Sequence, residues 1–434
     1  MDLSFSRLLG YARINFTHAT STISLKRKDG SEISLADLCK ETTPACKLNP
    51  LLFNGHLQTA WTTQDKADIP ITYKRKTFES DNTSYAGQFA VDFVVPNSMD
   101  PSKVEKDASL PQRTTYYTDQ AFGELGSSDS KPMAVVLHGL SGGSHEIYLR
   151  YTLAPLVSEE GGWEACVVNS RGCAMSKITS SVLYNARSTW DVRQTVKWLR
   201  EKFPNRPLFG IGFSLGANIL TNYVGEEGSN CVLKAAVVCS NPWNLEAGSL
   251  ALQRSWIGLE YSKVMGTSMR KLFSLHEEQI LKNPKIDREK VIKIKYLHEF
   301  DREIQGPTWG YPTEGAYYRD ASSTDSLLAC RIPLLAINAS DDPIAVDEAL
   351  PYLEVQQNPY AVLCTTSLGG HLAWFEAGGS RWFPKPVTEF LQKMAKEIDL
   401  DGTSKAASGG PVAATQGPTF QPMHRKWYVH EKTE

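Results

Sequence analysis

The sequence predicts an α/β fold, a mostly parallel sheet of eight strands with helices on both faces. Three observations carry that expectation. Short runs that are apolar throughout, such as Met133–Leu137 and Leu233–Cys239, recur along the chain. They alternate with stretches of helical spacing, the pattern of a parallel sheet buried on both sides. Between two such elements stands Gly210-Ile211-Gly212-Phe213-Ser214-Leu215-Gly216-Ala217-Asn218, a serine set between glycines at a strand-to-helix bend.

Composition agrees with a globular chain. The 434 residues are 41% hydrophobic and 22% charged, with a formal charge of −2, so nothing calls for nucleic acid as a partner. None of the eight cysteines forms C-x-x-C, and Cys166, Cys239 and Cys364 lie in apolar runs. Buried free thiols in a reducing, cytoplasmic setting are therefore expected rather than disulfides. No run approaches a membrane span. The opening MDLSFSRLLGYARINF has an acid at position two and no long apolar core. It reads as a short helix packed on the domain, not as a signal peptide.

The elements follow in order. Residues 1–70 look irregular or weakly helical, an N-terminal extension packed on the core. Pro50 and Gly55 break regularity around Leu48–Trp61, and His56 is expected to serve as a structural hydrogen-bonding residue. Ile71–Phe78 and Gly87–Val95 alternate like paired strands, and the polar residues 96–131 read as a long surface loop. Strands then follow at Met133–Leu137, Ala165–Asn169, Leu208–Gly212 and Leu233–Cys239, with helices at Ile147–Val157, Val182–Phe203 and Ala217–Val224 between them. Residues 244–328 are charged and helix-like, and are expected to form a cap inserted over the site. The alternation resumes with the strand Pro333–Asn338, a helix near Val346–Gln356, the strand Tyr360–Thr366 and a last helix, Pro386–Ile398. The core is thus expected over 71–243 and 329–398, with a flexible Gly/Ala/Ser/Pro-rich tail over 399–434.

The chemistry gathers around Ser214. A serine hydroxyl needs a base within hydrogen-bond reach, and the base needs an orienting acid. His371, in Leu368-Gly369-Gly370-His371-Leu372, follows the last strand; the other histidines after Ser214 lie in the cap or the tail. Asp341 and Asp342, in Asn338-Ala339-Ser340-Asp341-Asp342-Pro343, follow the penultimate strand. Asp342 is preferred as the acid and Asp341 as a loop-stabilising carboxylate. Asp347 reads as a solvated helix residue. The oxyanion donors are expected to be the backbone N–H groups of Leu215, just after the serine, and of Leu140, in His138-Gly139-Leu140-Ser141-Gly142-Gly143. His138 is expected to shape that loop. The same loop lacks the lysine of a phosphate-binding loop, and no His/Cys cluster suggests zinc, so neither cofactor nor metal is expected.

Together these motifs, with Asn49-Pro50, Asn54-Gly55-His56-Leu57-Gln58-Thr59 and Tyr317-Tyr318, resemble the α/β-hydrolase superfamily over about residues 46–398. More closely the chain is similar to AB hydrolase family four, which includes yeast medium-chain fatty-acid ethyl ester synthase/esterases and mammalian lipid-hydrolysing relatives. The resemblance implies hydrolysis of acyl esters, including acylglycerols, with Ser214, Asp342 and His371 as the triad. It also implies an alternative, acyl transfer from acyl-CoA to an alcohol. A third reading is a non-enzymatic binding protein on the same fold. Peripheral contact with a lipid droplet or membrane surface accompanies the lipid readings.

Overall fold

The computed structural model describes residues 9–95 and 107–401. The expected tail beyond Asp401 and the start of the expected N-terminal helix lie outside the described residues. A single large sheet organises the rest. Its strands are β1 (Ile14–His18), β2 (Thr72–Glu79), β3 (Gln88–Val95), β4 (Thr114–Tyr116), β5 (Met133–Leu137), β6 (Glu164–Asn169), β7 (Leu208–Phe213), β8 (Leu233–Cys239), β9 (Leu334–Ala339) and β10 (Ala361–Thr366). They lie in the order β1-β10-β9-β8-β7-β5-β6-β3-β2-β4. The six strands from β10 to β6 are mutually parallel. β1 and β3 run against their neighbours.

The alternation of side chains along each central strand explains why these strands read as apolar throughout. On one face, Ala134 and Val136 of β5 and Phe209 and Ile211 of β7 join Leu149 and Leu153 of the helix Ile147–Val157 and Phe390 and Leu391 of the helix Pro384–Glu397. On the other, Met133, Val135 and Leu137 meet Val192, Val196 and Leu199 of the helix Thr189–Lys202 and Leu220 and Val224 of the helix Leu215–Glu227. Each large apolar side chain buried in this way stabilises the fold by about 2 kcal/mol. All eight cysteines are free thiols.

The structure corrects several expectations. The sheet has ten strands, because β1 and β4 add to the eight runs read from sequence. β1 is only half-buried and β4 only three residues long, so neither carries a strong strand pattern. Residues 9–70 are therefore not simply irregular or weakly helical. Besides β1 they hold two small strand pairs, Tyr11–Ala12 with Cys46–Lys47 and Ser24–Lys26 with Glu32–Ser34. Tyr11–Ala12 and Ile14–His18 are strands, although the sequence as far as Phe16 reads as helix. Within 107–131, β4 and the helix Asp119–Gly123 replace a continuous loop.

The helix expected from Val182 begins only at Thr189. Ahead of it, Arg187 N donates to Asn185 Oδ1 (2.8 Å) and Asn185 N to Ser188 Oγ (2.8 Å). Such local side-chain bonds offer the backbone an alternative to helix. Near 346–356, Pro351 separates a 3₁₀ turn, Asp347–Ala349, from the helix Tyr352–Gln357. Between β8 and β9 the chain forms a succession of helices, the longest of them Trp256–Leu275. A separate apolar cluster around Phe273, Phe300 and Ile304 packs them together.

Candidate active site

Ser214 is the residue between β7 and the helix Leu215–Glu227, with φ 51° and ψ −120°. This backbone region is sparsely populated for a residue with a side chain. Three hydrogen bonds hold it there: Ser214 N donates to Cys239 O (2.9 Å), and its carbonyl accepts from Ala217 N (2.9 Å) and Asn218 N (3.2 Å). The flanking glycines answer to crowding. A Cβ on Gly216 would stand 2.4 Å from His138 O, and one on Gly212 would stand 2.6 Å from Ala217 Cα.

The hydroxyl meets His371 and Asp342 at the ends of two other strands. Ser214 Oγ–H donates to His371 Nε2 at 2.8 Å, and His371 Nδ1–H donates to Asp342 Oδ2 at 2.8 Å. The Asp342 side chain is fully buried. Its other oxygen accepts from Ile344 N (2.8 Å) and Ala345 N (2.9 Å). A carboxylate so held has one orientation left, and that orientation sets the imidazole tautomer. Asp341 points elsewhere: its Oδ1 accepts from Gly369 N (2.9 Å) and Gly370 N (3.1 Å), pinning the loop that carries His371. The adjacent acids thus divide the work, one against the ring and one against the backbone behind it.

The loop after β5 lies against the same serine. Gly139 N donates to Tyr148 OH (2.8 Å) and Ser141 N to Tyr184 OH (3.0 Å). Between them, Leu140 N has no protein acceptor among the described residues, and neither has Leu215 N at the start of its helix. Leu140, Leu215 and Ser214 line one cavity. Two unengaged amides beside a nucleophilic oxygen can receive the negative charge of a tetrahedral adduct. His138 shapes the loop, its Nδ1–H donating to Gly139 O (2.7 Å) and its Nε2 accepting from Ser170 N (3.0 Å). Burial pushes its pKa down to about 4, so the ring is neutral and has no free nitrogen. The far end of the loop is tied by Ser144 Oγ to Asp92 (2.6 Å), which Arg75 neutralises from within the sheet.

The cavity together with the open solvent it runs into spans about 820 Å³. The cap residues Leu245, Leu252, Met265, Met269 and Leu297 give it an apolar wall. Set into that wall are Asp301, His298 and Tyr318. Tyr318 OH donates to Asp301 Oδ2 at 2.7 Å, and burial pushes the Asp301 pKa up to about 7. Among the described residues, no group of three or more His, Cys, Asp or Glu side chains is placed to hold a metal ion.

The model of the alpha/beta hydrolase fold family matches residues 134–377. The chain belongs to the α/β-hydrolase family. It is 36% identical over 403 residues to a monoacylglycerol lipase of Saccharomyces cerevisiae, covering 87% of this chain and 88% of that one. It is 32% identical over 422 residues to medium-chain fatty acid ethyl ester synthase/esterase 2 of the same yeast, covering 86% and 92%. With human phospholipase ABHD3 it shares 30% identity over 272 residues, or 62% of this chain and 66% of the relative.

Sequence reasoning missed how this α/β-hydrolase holds its histidine. Of the segment Asn54–Thr59 the sequence assigns a role to His56 alone; Asn54 caps the helix Gly55–Trp61, and Gly55–Thr59 form its first part. That helix sits directly behind the histidine loop. Thr59 Oγ1 accepts from His371 N (2.9 Å), and Gln58 Oε1 accepts from Phe375 N (2.7 Å). A Cβ on Gly55 would stand 1.8 Å from Asp341 O, so the helix must start on a glycine to come this close. Ser240 Oγ accepts from Leu372 N (3.1 Å) on the other side. His56 bonds Tyr261 OH in the cap (3.1 Å), a structural contact as expected. The signal in the sequence was the capping asparagine followed by polar residues inside a short helix.

Proposed function

We propose that this α/β-hydrolase cleaves carboxylic esters of lipid acyl chains, acylglycerols among them, through an acyl-serine intermediate. The observation that carries the reading is the Ser214–His371–Asp342 relay, with two 2.8 Å contacts, opening on an apolar cavity. The names of the yeast relatives, a monoacylglycerol lipase and an ester synthase/esterase, support the same class of substrate. In this reading His371 takes the Ser214 proton as Oγ attacks the ester carbonyl. Asp342 holds the resulting imidazolium, and the Leu140 and Leu215 amides receive the oxyanion. His371 then protonates the leaving alcohol. Water, deprotonated by the same ring, releases the acid and restores Ser214.

The test is hydrolysis of acyl esters from C2 to C18 by the wild-type protein and by Ser214→Ala. The variant is expected to fold and to lose turnover by a factor on the order of 10⁴–10⁶. Wild-type rates in that variant would refute the assignment. So would failure of a fluorophosphonate to label Ser214 in the folded protein, which would favour a non-enzymatic binding role.

The resemblance to an ester synthase/esterase along most of the chain favours a second reading, in which an alcohol takes the place of water. An acyl-CoA would acylate Ser214 and release the free thiol, and the alcohol would then leave as an ester. Incubation with decanoyl-CoA and ethanol separates the two, because free acid alone as product excludes transfer. A lipid surface is the setting we propose for either reaction. Leu57 and Trp61 on the helix Gly55–Trp61 and Leu250 and Trp256 on the cap are exposed, and the His56–Tyr261 contact joins these elements. Sedimentation with phosphatidylcholine vesicles is expected to weaken in Trp61→Ser/Trp256→Ser.

A further inference from the structure

We propose that Asp301 and His298 form a diol-binding subsite in the wall of the Ser214 cavity, which reads the two neighbouring free hydroxyls of a monoacylglycerol. The proposal rests on the ester-hydrolase reading and adds to it the part of the substrate that leaves as alcohol.

The first observation is an imbalance of partners. Two buried aspartates in this molecule have entirely different surroundings. Asp92 is fully buried and accepts from Arg75 Nε and Nη2, Ser144 Oγ and Asn169 Nδ2. Asp301, only 6% exposed, accepts from Tyr318 OH alone. Its Oδ1 has no protein donor among the described residues, and no cation pairs with it. Burying a carboxyl with half its capacity unused is costly, and burial duly raises its pKa to about 7. A fold retains such a group most readily where a ligand completes it.

The second observation is independent. His298 Nδ1 is also buried and has no partner. Burial shifts this imidazole downward, so at neutral pH it is an uncharged ring with one unused nitrogen. His298 and Asp301 are three residues apart in the helical run that passes from Leu297–Phe300 into Asp301–Gln305, a spacing that places two side chains on one face. Both line the cavity that Ser214 and Leu215 line.

The chemistry of the pair selects the ligand. Among the described residues no lysine or arginine lines the cavity, so a phosphate head group would meet a carboxylate and no counter-charge. A quaternary ammonium would satisfy Asp301 and leave His298 Nδ1 as it stands. Two adjacent hydroxyls satisfy both, one donating to Asp301 Oδ1 and the other bonding the neutral imidazole. A simple alkyl ester has no hydroxyl for either residue. Sites built to bond a hydroxyl discriminate strongly against analogues that lack it, because their own polar groups are then left bare.

The experiment uses the full chain. Asp301→Leu/Tyr318→Phe removes both partners of the buried hydrogen bond and leaves neither unsatisfied, and His298→Phe probes the second arm separately. Thermal unfolding checks that each variant folds. Two quantities are read: the ratio of kcat/KM for 1-decanoylglycerol to that for ethyl decanoate, and the affinity of Ser214→Ala protein for 1-O-decylglycerol, a non-hydrolysable diol, by calorimetry. The double variant is expected to lower both by about tenfold or more, and His298→Phe to lower both by a smaller factor. Equal loss on the two esters, or an ether affinity within about twofold of the parent, overturns the subsite. Asp301-dependent binding of the ether by a protein that cleaves neither ester would sustain the subsite and refute the hydrolase reading instead.

Discussion

At the carboxyl ends of the sheet strands, the side chains of His371 and Asp342 are met by fixed partners; in the helical segment above them, Asp301 and His298 are each left, among the described residues, with an unused atom. Asp342 accepts three hydrogen bonds, one from the imidazole and two from backbone amides. Asp301, in the cavity wall, has one partner and, among the described residues, no donor for its other oxygen. The first arrangement suits a group that must keep one geometry through a reaction. The second suits a group whose remaining partner arrives with the substrate. The difference follows from how each region is built. The triad hangs on strand ends locked by a parallel sheet, whereas Asp301 sits in a π-helical turn among short helices.

The sharpest way to break this comparison is at the paired acids. Asp342→Asn keeps the shape and the two backbone bonds but presents the wrong group to His371 Nδ1. We expect kcat to fall by about 10⁴-fold with the fold intact. Asp341→Asn keeps an acceptor for Gly369 N and Gly370 N, and should cost about tenfold or less. Equal losses from the two, measured on one short p-nitrophenyl ester, would mean that the acids do not divide the work as their contacts indicate.

Buried titrating groups sharpen the comparison next, because the two regions tilt stability in opposite directions with pH. The Asp301 pKa rises from 3.8 to about 7 on folding. The folded state therefore holds this proton more tightly than the unfolded state. Stability is fully present below pH 3.8, declines as pH rises toward 7, and stays low above it. The ceiling of that cost is about 4 kcal/mol at 1.36 kcal/mol per unit. Asp301→Asn should accordingly be more stable than wild type at pH 8 and gain much less at pH 5, as read from urea midpoints. No gain at pH 8 would show that the carboxyl is not held at a cost.

His138, under the nucleophile, is shifted the other way, from 6.5 to about 4. Its folded-state contribution is fully present above pH 6.5 and is lost as pH falls toward 4, to a ceiling of about 3 kcal/mol. His138→Gln should be less stable at pH 7, having lost a bond of the oxyanion loop. It should also lose less than wild type between pH 6.5 and 4.5. A wild-type slope in the variant would place the acid sensitivity elsewhere.

What the sequence made legible divides along the same line. The central strands could be read, and Ser214, Asp342 and His371 picked out as side chains that meet, because each rests on a local pattern, an apolar run followed by a short loop bearing the residue. The half-buried β1 and the three-residue β4 have no such pattern. Nor could the late start of the helix at Thr189 be seen, since Asn185 and Ser188 turn the chain by side-chain bonds that helical spacing does not encode. Thr59 and His371 lie 312 residues apart. A hydrogen bond across that separation leaves no periodic trace, which is why the helix behind the histidine loop was found only in the structure. Asp301 and His298 fall in the charged, helix-like stretch 244–328 and carry no sign of the cavity wall, because burial there depends on how several short helices fold over one another.

The smallest effect tests that distant support. Thr59 Oγ1 accepts from His371 N at 2.9 Å, and Gly370, with φ +65°, brings the loop so close that a Cβ there would stand 2.7 Å from the same oxygen. Thr59→Val keeps the volume and removes the acceptor, leaving a part-buried N–H without its partner. The loss is about 1 kcal/mol of positioning, or roughly three- to tenfold in kcat. Because Thr59 does not line the cavity, KM should hold steady. Thr59→Ser restores the hydroxyl and should restore kcat, whereas a packing role would leave Ser as impaired as Val. If both variants match wild type in kcat, the helix Gly55–Trp61 supports folding alone, and the rigidity of the His371 loop must come from Asp341 and Ser240.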